Sequence, residues 1–137
     1  MRLLLDTHIA LWAALDPDAL TEAERRQLEA ANAPLVFSAV SVWELWLKWH
    51  RFHISGSRKG PVAPATVVAF ARGIGWELLP LTAVHASAEP PQKLGHKDPF
   101  DELLLVQAQQ QGMRLLTHDA KLIGYPFAFA GEREGQG

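Results

Sequence analysis

Three features of this sequence predict an α/β domain, with a central parallel sheet covered by helices on both faces. Short apolar runs bounded by turn residues alternate with segments of helical periodicity. Acidic residues stand at the junctions between the two. A length of 137 residues with 48% hydrophobic content suits one compact core. The expected organisation is a single domain over residues 1–130 followed by a frayed tail, 131–137.

Leu3-Leu4-Leu5 is a short apolar run stopped by Asp6-Thr7 and reads as the first strand; Ile9, Trp12, Ala13 and Leu15 then recur at helical spacing until Asp16-Pro17. Thr21 with Glu24 is a capping-box pattern that opens a second helix running to about Asn32. After Pro34, Leu35-Val36-Phe37 reads as a strand. Ser41 with Glu44 offers another capping box, and the helix it would open, Val42 to Phe52, is apolar almost all round, so burial on several sides is expected. In that setting Trp43, Trp46, Trp49 and Phe52 are expected to fill a core or a dimer face. Ser55 to Pro64 has the composition of a loop, and Ala65 to Arg72 is a helix ending at Gly73 or Gly75.

Trp76 to Leu81 reads as a strand, Thr82 to Glu89 as a helix, and Lys93 to Lys97 as a polar connection. Asp98 then falls at an N-cap, Pro99 at the first helical position and Asp101 at the third, ahead of a helix that runs to Gly112. Leu115-Leu116-Thr117 is a buried strand, Asp119 is placed to cap a short helix, and Phe127 to Phe129 is the last strand. There is no internal repeat.

Composition limits the function classes. Cysteine is absent, so neither a disulfide framework nor a thiolate zinc site can form, and a reducing cytoplasmic setting is expected. No apolar run approaches the roughly 20 residues that cross a bilayer, and Asp6 comes too early for a secretory signal. A formal net charge of -2 does not suit a strongly basic coat for nucleic acid, although positive charge can still gather on one face.

The acids carry the chemistry. Asp6 and Asp119 follow strands, Asp98 and Asp101 open a helix, and Glu44 stands among Trp43, Leu45, Trp46 and Leu47. In a parallel sheet ligands sit beyond the carboxyl ends of the strands, and these acids fall at that edge. Clustered carboxylates raise one another's pKa, a conflict that a divalent cation relieves; all-oxygen ligation suits Mg²⁺ or Mn²⁺. Capping explains an Asp at any one of these positions. An exposed Glu44–Lys48 pair, worth only about 0.3 to 0.5 kcal/mol, does not explain a carboxylate in so apolar a stretch. His8, His96 and His118 sit beside the acids, which allows a mixed nitrogen–oxygen site for Zn²⁺ or Mn²⁺, but without a two-histidine helical motif they are expected to support the acids or to face the substrate.

Four stretches, Leu3-Leu4-Leu5-Asp6-Thr7-His8, Ser38-Ala39-Val40-Ser41-Val42-Trp43-Glu44-Leu45, His96-Lys97-Asp98-Pro99-Phe100-Asp101 and Leu115-Leu116-Thr117-His118-Asp119, together resemble the PIN-domain ribonucleases, and more narrowly the VapC-type toxins of toxin–antitoxin pairs. The resemblance runs to about Phe129, in family order and spacing. It implies a three-layer α/β/α fold, a Mg²⁺ or Mn²⁺ site made by Asp6, Glu44, Asp101 and Asp119, and endonucleolytic cutting of RNA. Asp98 is the second choice beside Asp101 for the third acid, and the number of ions, one or two, stays open. A cognate antitoxin and a homodimer are implied as partners, with transfer RNA among the candidate substrates. Glu102 departs from the expected Arg or Lys, which removes a phosphate contact there, and the tryptophan-heavy stretch from Trp43 to Trp49 is bulkier than usual.

On this reading an activated water attacks phosphorus in line, with Thr7, Thr117 and Ser41 in support. Lys48, Arg51, Arg58, Lys59, Lys93 and Lys97 are candidates to track the RNA backbone, set against the ordinary reading of loop charges as solvated. Two other classes keep the same acids. A Mg²⁺-binding phospho-acceptor domain needs an adjacent acidic pair after the first strand, where Thr7 and His8 stand, and an aspartyl phosphatase needs an Asp at His8. A non-catalytic PIN-like binding module, docking through Val42 to Phe52, is the third class.

Overall fold

In the computed structural model the chain is described over residues 2–51, 54–57, 60, 62–90, 98–119, 122 and 128–129. Lys93, Lys97, His96, Arg58, Lys59, Phe52, Phe127 and the tail 131–137 lie outside these residues.

The strands β1 (Leu3–Leu5), β2 (Val36–Ser38), β3 (Glu77–Leu79), β4 (Arg114–Leu116) and β5 (Ala128–Phe129) form one five-stranded sheet in the order β3-β2-β1-β4-β5. Every pairing is parallel, with Leu4 opposite Val36 on one side and Leu115 on the other. The first strand and the Leu115-Leu116 strand are therefore neighbours, at the centre of the sheet.

The helices are α1 (Thr7–Leu15), α2 (Glu22–Ala30), α3 (Ala39–Trp49), α4 (Pro64–Gly73), α5 (Ala83–Ser87) and α6 (Pro99–Gln111). Alternation along β1 divides the core. Leu3 and Leu5 pack with Ile9, Ala10 and Leu11 of α1 and with Val67 and Ala71 of α4. Leu4 faces the other way, onto Leu104, Leu105 and Ala108 of α6. Two apolar layers on opposite faces of the sheet make the α/β/α sandwich that the continuous apolar strands demand.

Local signals explain most helix ends. The Thr21–Glu24 capping box is formed, with reciprocal bonds of 3.0 and 2.9 Å. Asp98 caps α6 by accepting from the N–H of Phe100 at 2.9 Å and of Asp101 at 3.3 Å, and Gly112 ends the helix at φ 64°, a conformation that favours glycine.

Two expectations about α3 are corrected. The helix starts at Ala39, capped by the Ser38 hydroxyl, which accepts from the Val40 N–H at 3.0 Å, because β2 runs into it with no loop. Ser41 and Glu44 therefore lie inside the first two turns and form no capping box. Nor is the helix enclosed: Leu45 is buried, but Trp43 is 52% and Trp46 39% exposed, their rings stacked at 4.7 Å. The short helix expected after Asp119 lies outside the described residues; the Leu122 N–H donates to the Asp119 carbonyl at 3.0 Å.

Candidate functional site

The site begins with the adjacency of β1 and β4. The Asp6 N–H donates to the Leu116 carbonyl at 3.0 Å, extending the ladder one residue past β1 and fixing Asp6 at the carboxyl edge. Its carboxylate accepts from the Thr7 N–H at 2.6 Å, as an N-cap of α1, and from the Thr117 hydroxyl at 2.5 Å across 111 residues of sequence. One Asp thus starts a helix and joins two strands.

Thr7 carries the link to α3. Its hydroxyl donates to Glu44 Oε1 at 2.8 Å and lies 2.8 Å from the Ser41 hydroxyl, so Ser41 and Glu44, both buried, are tied to the first turn of α1. Lys48, one turn further along α3, donates to the other Glu44 oxygen at 2.9 Å. This pair has a carboxylate that is 11% exposed, which distinguishes it from an ordinary surface i,i+4 pair.

Asp101, at the start of α6, is 8% exposed. Burial pushes its carboxyl up to about 8, and the nearby charges of Asp98, Asp6, Asp119 and Glu44 push in the same direction. The other four acids are therefore each within electrostatic reach of Asp101. Asp6 is also raised above the usual carboxylate range by burial, against the lowering effect of the Thr117 and Thr7 hydrogen bonds and of His8. Asp119 is half-buried after β4, its N–H donating to the Thr117 hydroxyl at 3.0 Å, so Thr117 bridges Asp119 to Asp6.

Among the described residues no three His, Asp or Glu side chains are grouped closely enough to hold a metal ion as they stand. The donor chemistry nevertheless suits a hard divalent cation. Each acid offers only carboxylate oxygen, and the Asp101 carboxyl is pushed up to about 8 by burial first and by the charges of Asp98, Asp6, Asp119 and Glu44 after it. Mg²⁺ retains several waters and needs only one or two carboxylates directly.

Of the proposed RNA contacts, Lys48 is engaged by Glu44 and Arg51 is exposed just beyond α3. Lys93 and Lys97 lie outside the described residues. Sequence reading missed Glu24, which is 2% exposed and bonded to His118 Nδ1 at 2.6 Å. The capping box already accounted for this Glu, and a partner 94 residues away leaves no local signal. Buried Gln107 was missed as well: it bonds the Ser38 hydroxyl and reaches the Pro80 carbonyl and the His85 ring, each at 3.2 Å, pinning α6 to β2 and α5.

Comparison with known proteins bears on this geometry. The PIN domain family profile matches residues 3–128. Ribonuclease VapC22 of Mycobacterium tuberculosis (strain ATCC 25618 / H37Rv) is 32% identical over 123 residues, spanning 87% of this chain and 88% of that protein. A chain in the crystal structure of VapBC2 from Rickettsia felis bound to a DNA fragment from their promoter superimposes with a TM-score of 0.58 at 15% identity, covering 95% of this chain and 97% of its own. At that identity the likeness is one of fold. No described helix is long and apolar enough to cross a membrane.

Proposed function

This chain belongs to the PIN-domain family, and on that premise we propose that it is a Mg²⁺- or Mn²⁺-dependent endoribonuclease acting in the cytoplasm as the toxin of a toxin–antitoxin pair. The observation that carries the metal-dependent reading is the convergence of acids at the carboxyl edge of the sheet: Thr7 ties Glu44 to the turn that Asp6 caps, and Thr117 joins Asp6 to Asp119, with the charges of all three felt at buried Asp101. The match to Ribonuclease VapC22 over most of both chains supports RNA as the substrate, with transfer RNA among the candidates.

Asp6, Glu44, Asp101 and Asp119 are the residues we assign to hold the ion, with Asp98 primarily the cap of α6. An ion held there would supply Lewis acidity, activating a water for attack on phosphorus and offsetting the charge of the oxygen displaced. The chain's own residues hold that arrangement. Thr117 and the Thr7 N–H keep Asp6 oriented, and the Thr7 hydroxyl and Lys48 fix the two oxygens of Glu44. A rigid ligand set of this kind costs little reorganisation as charge develops.

A cognate antitoxin and a second copy of the chain are the proposed protein partners. The exposed Trp43–Trp46 stack, bordering an apolar cleft of about 480 Å³ with Phe37, Val68 and Leu79, supports a protein-facing role for the outer side of α3. The test is incubation of partner-free protein with Mg²⁺ or Mn²⁺ and labelled RNA. Internal cuts that vanish with EDTA and in Asp6→Asn are expected; cutting by Asp6→Asn at the wild-type rate overturns the catalytic assignment.

A further inference from the structure

Glu24 is a buried carboxylate that the acid cluster does not use. It lies 2% exposed, with one oxygen in the capping box of α2 and the other 2.6 Å from His118 Nδ1. His118, the neighbour of Asp119, is thereby held in one orientation, and its ring meets the Trp12 indole edge-to-face with centroids 4.9 Å apart. On the same helix, one turn earlier, His8 lies 5.7 Å from Trp12. A buried anion, an imidazole and an indole thus form a supported row beside the acids, with Trp12 only half-buried.

Trp12 opens onto a cleft of about 480 Å³ whose walls include Thr7, Leu11, Leu15, Leu45 and Lys48. Two of these belong to the acid site as well: Thr7 donates to one Glu44 oxygen and Lys48 to the other. The cleft therefore borders the Glu44 side of the acid site. Its lining combines the rings of Trp12 and His8 with aliphatic walls, Lys48 paired to Glu44 at the side of the acids, and the carboxylate of Asp16. Recognition of single-stranded RNA uses the same combination, an unstacked base laid on an aromatic ring and its phosphate near a basic group.

We propose that this cleft is a subsite for one unpaired nucleobase of the RNA next to the scissile phosphate, stacked on Trp12, with His118 and Glu24 as positioning residues for the indole. The inference rests on the nuclease reading above. It assigns Trp12 to substrate placement, not to the chemical step, so its removal acts on KM. Stacking of one base on an aromatic side chain is worth about 1 to 3 kcal/mol, which corresponds to roughly 5- to 150-fold.

The test pairs protein variants with an altered substrate. RNA carrying a mapped cleavage site is compared with the same RNA bearing one abasic residue on either side of the cut. Trp12→Ala is expected to raise KM on intact RNA at least 5-fold with kcat changed less than 2-fold, and Trp12→Phe to recover most of the loss. The abasic RNA should impose a similar penalty on wild type and little further penalty on Trp12→Ala. Glu24→Gln should raise KM in the same direction, by less.

Penalties that add in full between variant and abasic RNA overturn the inference. So does a Trp12→Ala protein with wild-type KM, including one that has lost only its grip on an antitoxin. Should Trp12→Ala lower Tm below the assay temperature, Trp12→Phe and the abasic RNA on wild type decide: indifference to an abasic residue on both sides of the cut overturns the subsite. A wild-type protein that leaves RNA intact sinks the nuclease reading and this inference with it; cutting that ignores Trp12 sinks the subsite alone.

Discussion

The two sides of α3 invert the usual relation between polarity and burial. On the inner side Ser41 and Glu44 are buried, whereas on the outer side Trp43 and Trp46 stand 52% and 39% exposed. Hydrophobicity alone would place them the other way round. A buried carboxylate costs stability unless it is hydrogen-bonded and paired, and Glu44 has both Thr7 and Lys48. The inner side is therefore arranged around charge, and the outer side leaves apolar surface for something else to cover. Inverted burial within one helix marks where function overrides folding stability.

Substitutions can break or sharpen that contrast. The largest effect is expected from Glu44→Gln, which keeps the shape and hydrogen-bonding reach of the side chain but removes its charge; cleavage measured with Mn²⁺ should fall by about 100-fold or more. Leaving kcat within 2-fold would show that the inner side is structural. Next is Thr117→Val, which removes the hydroxyl donated to Asp6 and should cost roughly 10- to 100-fold in activity or metal affinity. Because that bond lowers the Asp6 pKa, the acid limb of the rate profile should also move to higher pH.

Stability separates the two sides in a different way. Leu45→Ala, in the buried seam, should cost about 2 to 5 kcal/mol in denaturant unfolding. Asp101→Asn should do the reverse in metal-free protein. The folded carboxyl holds its proton up to about 8, above its unfolded value, so its penalty is absent in acid and grows as pH rises from about 4 toward 8. Melting temperature in EDTA should rise at pH 8 with little change at pH 4.5; an equal shift at both values would exclude this cause. The smallest effect is expected for Trp43→Ser, whose exposed ring should contribute within about 0.5 kcal/mol to monomer stability. Its gel-filtration behaviour should change far more if a second copy covers that face.

Much of this was legible in the sequence because the signals are local. The runs at Leu3 and Leu115, the Thr21–Glu24 box and the Asp98-Pro99 helix start each fit within a few residues, and the structure contains each of them. Parallel topology allowed β1 and β4 to lie side by side without requiring it. The start of α3 was misread because Ser38 and Ser41 are both competent caps, and which one serves depends on how far β2 extends. The exposure of Trp43 and Trp46 was missed because an all-round apolar pattern does not say which neighbours exist. The Glu24–His118 bond joins residues whose local roles were already satisfied, so nothing nearby pointed to it.

The bond from Thr117 to Asp6 also has a bearing on synthesis. Its partners are 111 residues apart, and at about 5 to 20 residues per second the ribosome takes roughly 6 to 22 s to deliver the second after the first. Through that interval Asp6 waits on a growing polypeptide with no β4 to pair against, and the acid pocket stays unbuilt. Until β4 is made, an enzyme able to cut RNA lacks the strand that completes its acid pocket.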